Sequence, residues 1–160
     1  MTETPIVLPP RASFLEALLL MALHLRQLVS GQQALLRLER DEVARSLDLM
    51  HAESSEVLFR FRRILDSLDA GSLHEGAAGQ ALLESSGCLD LQQVPSSRPG
   101  LLGPSRQVRR HREFLESRCQ RLLELARQTA SRFPGHPLAD EVASCSALCD
   151  AQLKGLKQLA

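Results

Sequence analysis

The sequence predicts an all-α fold, an antiparallel bundle of three to four helices, and three observations lead there. Hydrophobic residues make up 44% of the 160 positions, yet aromatics are only 3% and Trp and Tyr are absent. The apolar interior must therefore be filled by Leu, and a chain rich in Leu and poor in β-branched residues favours helix over strand. Apolar residues recur at intervals of three and four along four separate segments, the period of a helix with one buried face. Glycine and proline clusters divide those segments. A chain of this length is one domain and buries roughly two thirds of the surface its unfolded form exposes, so it requires no staple.

Residues 1–12 contain Pro5, Pro9 and Pro10, which deny helix and predict a flexible N-terminal arm. Ser13 with Glu16 three residues on reads as a capping box, and Phe14, Leu18, Met21, Leu25 and Leu28 form the stripe of a helix over about 13–30. Gly31 is placed to stop or bend it, and whether this helix is continuous with the next stays open. Over about 34–69, Val43, Leu47, Met50, Ser54, Val57, Phe61, Ile64 and Leu68 alternate steps of four and three, a heptad seam suited to coiled-coil-like, left-handed packing. Charges from Arg37 to Asp66 occupy its other faces and read as a solvated surface. Periodicity then fails. Residues 70–104 hold Gly71, Gly76, Gly79, Gly87, Gly100 and Gly103 with Pro95, Pro99 and Pro104, a long linker with one short helix around Gln80 to Ser85 and a disordered second half.

Ser105 caps a helix over about 105–133, with Val108, His111, Leu115, Cys119, Leu122, Ala126, Ala130 and Phe133 along one face. Phe133-Pro134-Gly135-His136-Pro137 cannot continue it. Pro137 then starts a last helix to about 159, with Asp140 and Glu141 at the positive end of its dipole and a stripe of Leu138, Val142, Cys145, Cys149, Leu153, Leu156 and Ala160. Segments with one apolar face each satisfy those faces only against one another, which makes residues 13–160 a bundle.

Nineteen basic residues balance nineteen acidic ones, which removes the global attraction expected of a nucleic-acid or membrane-surface protein. The apolar run from Leu15 to Leu25 is short for a bilayer and carries Glu16 and His24, and the acidic start at Glu3 does not suit a secretory signal. The expectation is a cytoplasmic protein without a membrane span. In that compartment Cys88, Cys119, Cys145 and Cys149 are free thiols behaving as small hydrophobes.

Residues for chemistry are sparse. A di-metal carboxylate bundle needs Glu-x-x-His on two helices, and the nearest approach, Asp48 and His51 with Glu53, exists once. Cys145 and Cys149 lie one turn apart with His136 upstream, but zinc favours tight Cys-x-x-Cys turns, and ligation here would require Cys119 to arrive at the same height from another helix. Phosphate loops, nucleophile elbows and dinucleotide fingerprints are missing. No catalytic residue, cofactor or metal is assigned, and the expectation is a protein that is not an enzyme. Residues 106–132 carry eight Arg against three Glu, and apart from Phe114 and the terminal Phe133 the aromatics that stack on bases are missing. Arg109, Arg112 and Arg118 are the candidate partner-binding residues, steering acidic counterparts on another protein by helix-face recognition. Self-association stays open.

Cys119-Gln120-Arg121-Leu122, then Ala130, Gly135-His136-Pro137, Ala139-Asp140-Glu141-Val142 and Leu148 through Leu156 resemble the second and third helices of a spectrin-like repeat. They are similar to the divergent repeats of Dbl-type Rho guanine-nucleotide exchange factors, where a His-Pro turn joins those helices; Val43, Leu47 and His51 match the first-helix spacing. The residues that carry the resemblance include no exchange-factor catalytic domain, so it implies a non-catalytic scaffold or regulatory module linked to Rho GTPase exchange-factor regulation or the cytoskeleton. The alternative is a resemblance to FlgN-like flagellar export chaperones, whose long Leu-rich antiparallel helices imply binding of secretion substrates on a helical face.

Overall fold

Ser13 and Glu16 start the first helix as their spacing implies. In the computed structural model, which describes Leu8, residues 12–67, Pro95 and residues 104–159, the Glu16 amide donates to the Ser13 hydroxyl at 3.1 Å and the Ser13 amide donates to the Glu16 carboxylate at 3.3 Å. Helix α1 spans Phe14–Leu36, α2 Asp41–Ser67, α3 Pro104–Arg132 and α4 Ala139–Gln158. The described residues form an all-α four-helix bundle and contain no strand.

Gly31 does not stop α1, which runs on to Leu36. A glycine inside a helix costs only about 1 kcal/mol relative to alanine, and this one answers a different need. A Cβ there would lie 2.8 Å from Phe114 Cε1 and 2.9 Å from Leu115 Cδ2 on α3, so its missing side chain is what lets the two helices approach. The break falls instead at residues 37–40: the amides of Leu38 and Glu39 bond back to the Leu35 carbonyl at 2.9 and 3.1 Å. Asp41 follows with a φ of 58°, a left-handed conformation that Asp tolerates better than most residues. The first two helices are thus separate antiparallel rods, and the second starts at Asp41, later than the hydrophobic pattern alone places it.

Helix α1 lies between α2 and α3, and α4 packs on α3 and, along a slimmer seam, on α2. Cross-contacts fix the directions. Gly31 meets Phe114 while Phe14 meets Phe133, so α1 and α3 are antiparallel; Gln152 reaches Met50 while Glu141 reaches Arg60, so α2 and α4 are too. Every neighbouring pair is antiparallel, and α2 and α3, on a diagonal, run the same way. The end of α2 and the start of α3 therefore lie at opposite ends of the bundle. At 1.5 Å per residue a helix of 27 residues is about 40 Å long, and the connection must make up that distance. This topology supplies a reason for a long stretch between two helices that a hairpin turn cannot join. The expected linker, its short helix near Gln80 and its disordered second half lie outside the described residues, except for Pro95, whose carbonyl oxygen sits 2.8 Å from His111 Nε2.

Within the expected N-terminal arm, Leu8 packs against the bundle. It is fully buried, its amide donates to Gln128 Oε1 at 2.7 Å, and its carbonyl accepts from Arg132 Nη2 at 3.1 Å. The other residues before Ala12 lie outside the described set.

Burial follows the predicted stripes with shifts that neighbours explain. Leu18, Met21, Leu25 and Leu28 are buried, but so are Ala17, Leu19, Leu20 and Ala22, because α1 has a helix on either side. With its full length of 23 residues α1 is the one described helix long and apolar enough to cross a membrane; here those side chains form the centre of the bundle. On α2, Leu47, Ser54, Val57 and Phe61 of the expected seam are buried, Val43, Met50 and Ile64 are half-buried, and Leu58 and Leu65 join the interior. On α3 Phe114 and Leu125 are added and Ala130 faces solvent; on α4 Leu148 is added. Val57, Leu122 and Val142, from three different helices, are all enclosed.

Replacing Gly31 by Val is expected to destabilise the protein by about 1–3 kcal/mol through overpacking against Phe114 and Leu115. Urea denaturation followed by circular dichroism checks this; an unchanged midpoint would remove the close-approach argument.

Candidate functional site

The three arginines singled out on α3 do not form one accessible patch. Arg109 is exposed and pairs with Glu113 one turn away at 3.1 Å, an arrangement of small energetic value. Arg112 is half-buried: its Nη2 reaches Glu39 Oε1 at 2.7 Å and its Nη1 donates to the Leu159 carbonyl at 2.8 Å. It ties the α1–α2 loop and the last turn of α4 to α3 at one end of the bundle. Arg118 is enclosed. Its guanidinium lies 5.3 Å from the centroid of Phe114 and its Nη1 is 3.3 Å from His24 Nδ1 on α1. The sequence shows an Arg-rich helix, but the choice between outward and inward arginines depends on which face of α3 meets α1.

His24 is fully buried beside this arginine. Burial, then the positive charges of Arg118 and Arg121, lower its pKa from 6.5 to about 3. A neutral imidazole that accepts from Arg118 through Nδ1 is the form this site holds. The unfolded chain takes up a proton near pH 6.5 and the folded one near pH 3, so between these values the unfolded state binds more protons and stability falls as the pH drops. A His24→Gln variant is expected to lose this component. Its unfolding free energy, measured from pH 7 to pH 4, should be flatter than that of the parent by at most about 1.4 kcal/mol per pH unit; parallel curves would contradict the assignment.

The centre of the bundle holds a polar layer built around Gln152 of α4. Its Oε1 accepts from Gln32 Nε2 of α1 at 2.8 Å, and its Nε2 donates to the Met50 carbonyl at 3.0 Å and to Ser54 Oγ at 2.7 Å, both on α2. Cys119 of α3 brings its thiol to 4.0 Å from Gln152 Oε1. Gln32, Ser54, Cys119 and Gln152 are all buried, so one amide links four helices. Removing a partner from a buried hydrogen bond costs more than removing both. Gln152→Leu is therefore expected to destabilise the bundle by about 1–3 kcal/mol, and Gln32→Leu added to it to recover part of that loss; a double variant showing the full sum of the single losses would argue against the layer acting as a unit.

Cys119, Cys145 and Cys149 are buried free thiols around the α3–α4 contact. The hydrogen bond to Cys145, followed by burial, raises the pKa of Cys149, and burial followed by the neighbouring Cys149 raises that of Cys119. These are conditions for unreactive thiols. His136 is not among them: it stacks on Phe14 with centroids 3.6 Å apart, and its Nδ1 accepts from the Leu138 amide at 3.1 Å. Among the described residues no three His, Cys, Asp or Glu side chains gather in a way that holds a metal ion. Asp48 and Glu53 are exposed on α2 with His51 half-buried between them. Cys88 lies outside the described residues.

The outer side of α2 carries what the sequence reading missed. Leu49 is 66% exposed and Phe59 59% exposed. At 3.6 residues per turn, Leu49, Ala52, Glu56, Phe59 and Arg63 follow one another on the side opposite Leu47, Ser54, Phe61 and Leu65. The Arg63 guanidinium covers the Phe59 ring at 5.9 Å. A signal for this face existed in the sequence, since Leu49 and Phe59 are the large apolar residues between Val43 and Leu65 that stand off the buried stripe among charges.

Set beside known proteins, the chain matches no family model, no curated protein sequence and no solved structure. Its described residues define a class of architecture: an antiparallel four-helix bundle with α2 and α3 on a diagonal, a polar central layer and, on α2, the exposed apolar side chains of Leu49 and Phe59.

Proposed function

We propose that this chain is a non-catalytic helical interaction or scaffold module, and that it docks a protein on the outer face of α2. The observation that carries the reading is the exposure of Leu49 and Phe59 on a helix whose remaining outward positions are mostly charged. Large apolar side chains held on a rigid helix, rimmed by charge, are the composition of a helix-face recognition site. Arg109, the outward member of the three α3 arginines, belongs to a separate side of the bundle and is a secondary element of this proposal.

The proposed module also suits a scaffold role in Rho exchange-factor regulation or the cytoskeleton. In its favour, the Phe133–Pro137 segment forms the tight turn between antiparallel α3 and α4, with Gly135 at a φ of 72°. A fourth helix, α1, packs between α2 and α3, which is a departure from a three-helix repeat.

Glu at both Leu49 and Phe59 tests the proposal. The double variant is expected to keep its helical circular dichroism and lose partner affinity roughly 10-fold or more, the scale of one large side chain removed from an interface. Binding is measured by titration with partners captured by the parent protein, and an affinity equal to the parent's would overturn the reading. The chemical class of the captured protein, cytoskeletal or GTPase regulator against secretion substrate, separates the scaffold from the export chaperone.

A further inference from the structure

The charges around Leu49 and Phe59 identify an occupant for this face. Along the outer side of α2 the exposed groups run Arg45, Asp48, Leu49, Ala52, Glu56, Phe59, Arg63 and Asp66. An antiparallel copy of the same helix, related by a two-fold axis passing between Ser55 and Glu56, places Phe59 over the small Ala52 of its mate, beside Leu49. The same register sets Asp48 against the other copy's Arg63 and Arg45 against its Asp66. Each of these matches occurs twice by symmetry, as an isologous contact requires. One register thus meets Phe59 and both charge pairs, with Glu56 left near its own like charge.

We propose that the outer face of α2 is a homodimer interface, in which two copies pair antiparallel, Phe59 packing on Ala52 and the Asp48–Arg63 and Arg45–Asp66 pairs fixing the register. The proposal rests on the reading of this face as a docking surface and names its partner as a second copy of the chain. One helix from each copy buries less than the surface of a standard stable interface, and Glu56 approaches its own counterpart near the axis. The dimer is accordingly a weak one that forms in the micromolar range.

Sedimentation equilibrium of the full chain from about 5 µM to about 500 µM is expected to show a monomer–dimer equilibrium. Asp48→Arg alone and Arg63→Asp alone should each weaken dimerisation at least 10-fold, because each sets like charges against each other twice. An equimolar mixture of the two single variants should form heterodimers, since every pair is then opposite in charge, and Glu56→Gln should strengthen the parent dimer. Both charge positions are exposed, so the folded state is checked by circular dichroism and is expected to be unchanged. A chain monomeric across the whole range, or a mixture no more associated than its components, would overturn the dimer.

A photoreactive phenylalanine analogue at position 59 separates this failure from failure of the docking face itself. Cross-links to residues 45–56 of a second copy support the proposal. Cross-links to a different protein in cell extract, with no self-links, overturn the dimer and leave the docking face in place. Links only to residues 68–103 of the same chain overturn both.

Discussion

The buried amide of Gln152 is the constraint around which the bundle is organised. An apolar Leu interior is non-directional and tolerates sliding and rotation of one helix on another. A primary amide that accepts from Gln32 and donates to Met50 and Ser54 is directional, and it is satisfied at one height and one rotation of α4 relative to α1 and α2. The arrangement is not free of cost: Gln32 Oε1 is buried without a hydrogen-bond partner among the described residues, a loss of roughly 1–3 kcal/mol for an unsatisfied group. A polar layer of this kind exchanges some stability for a defined register, a use well attested for buried polar residues in helical assemblies.

The polar layer and the close approach at Gly31 act on the same pair of problems. Gly31 lies one residue before Gln32, so a close approach of α1 to α3 coincides with the place where α1 delivers its amide to the centre. Nearer the other end of α1, His24 and Arg118 add a second buried polar contact between those helices. At the end holding the α1–α2 loop, Arg112 joins Glu39 to the carbonyl of Leu159, which caps α4. Position along the axis is thus set at three heights by hydrogen bonds, and Leu packing fills the space between them.

These inward commitments leave the outer side of α2 as the described face on which large apolar side chains meet solvent. Arg118 and Arg112 serve the interior and the bundle end, and α1 is enclosed through most of its length. Helix α2 has only its inner stripe engaged and shares its slimmest seam with α4. Its outer positions combine two large apolar side chains with charges of both signs, and a rigid helix presents them at fixed spacing. The proposed docking and the proposed self-pairing both rest on that fixed spacing.

Local rules determined much of this protein from its sequence. The capping box at Ser13 and Glu16, the Pro134-Gly135 stop and the periodic stripes of Leu and Val are set by neighbours within a few residues, so the helical content, the tight α3–α4 turn and most of the interior could be read directly. The break between α1 and α2 could not, because Gly31 looks like a terminator until Phe114 is seen to occupy the space beside it. Nor could the fate of the arginines or of Gln152: Arg109 and Arg118 belong to the same basic helix, and only the packing of α3 on α1 turns one to water and the other inward. Helix formation depends on hydrogen bonds four residues apart, whereas the choice of inward polar groups depends on residues about a hundred positions away, and that information exists only once the four rods have met.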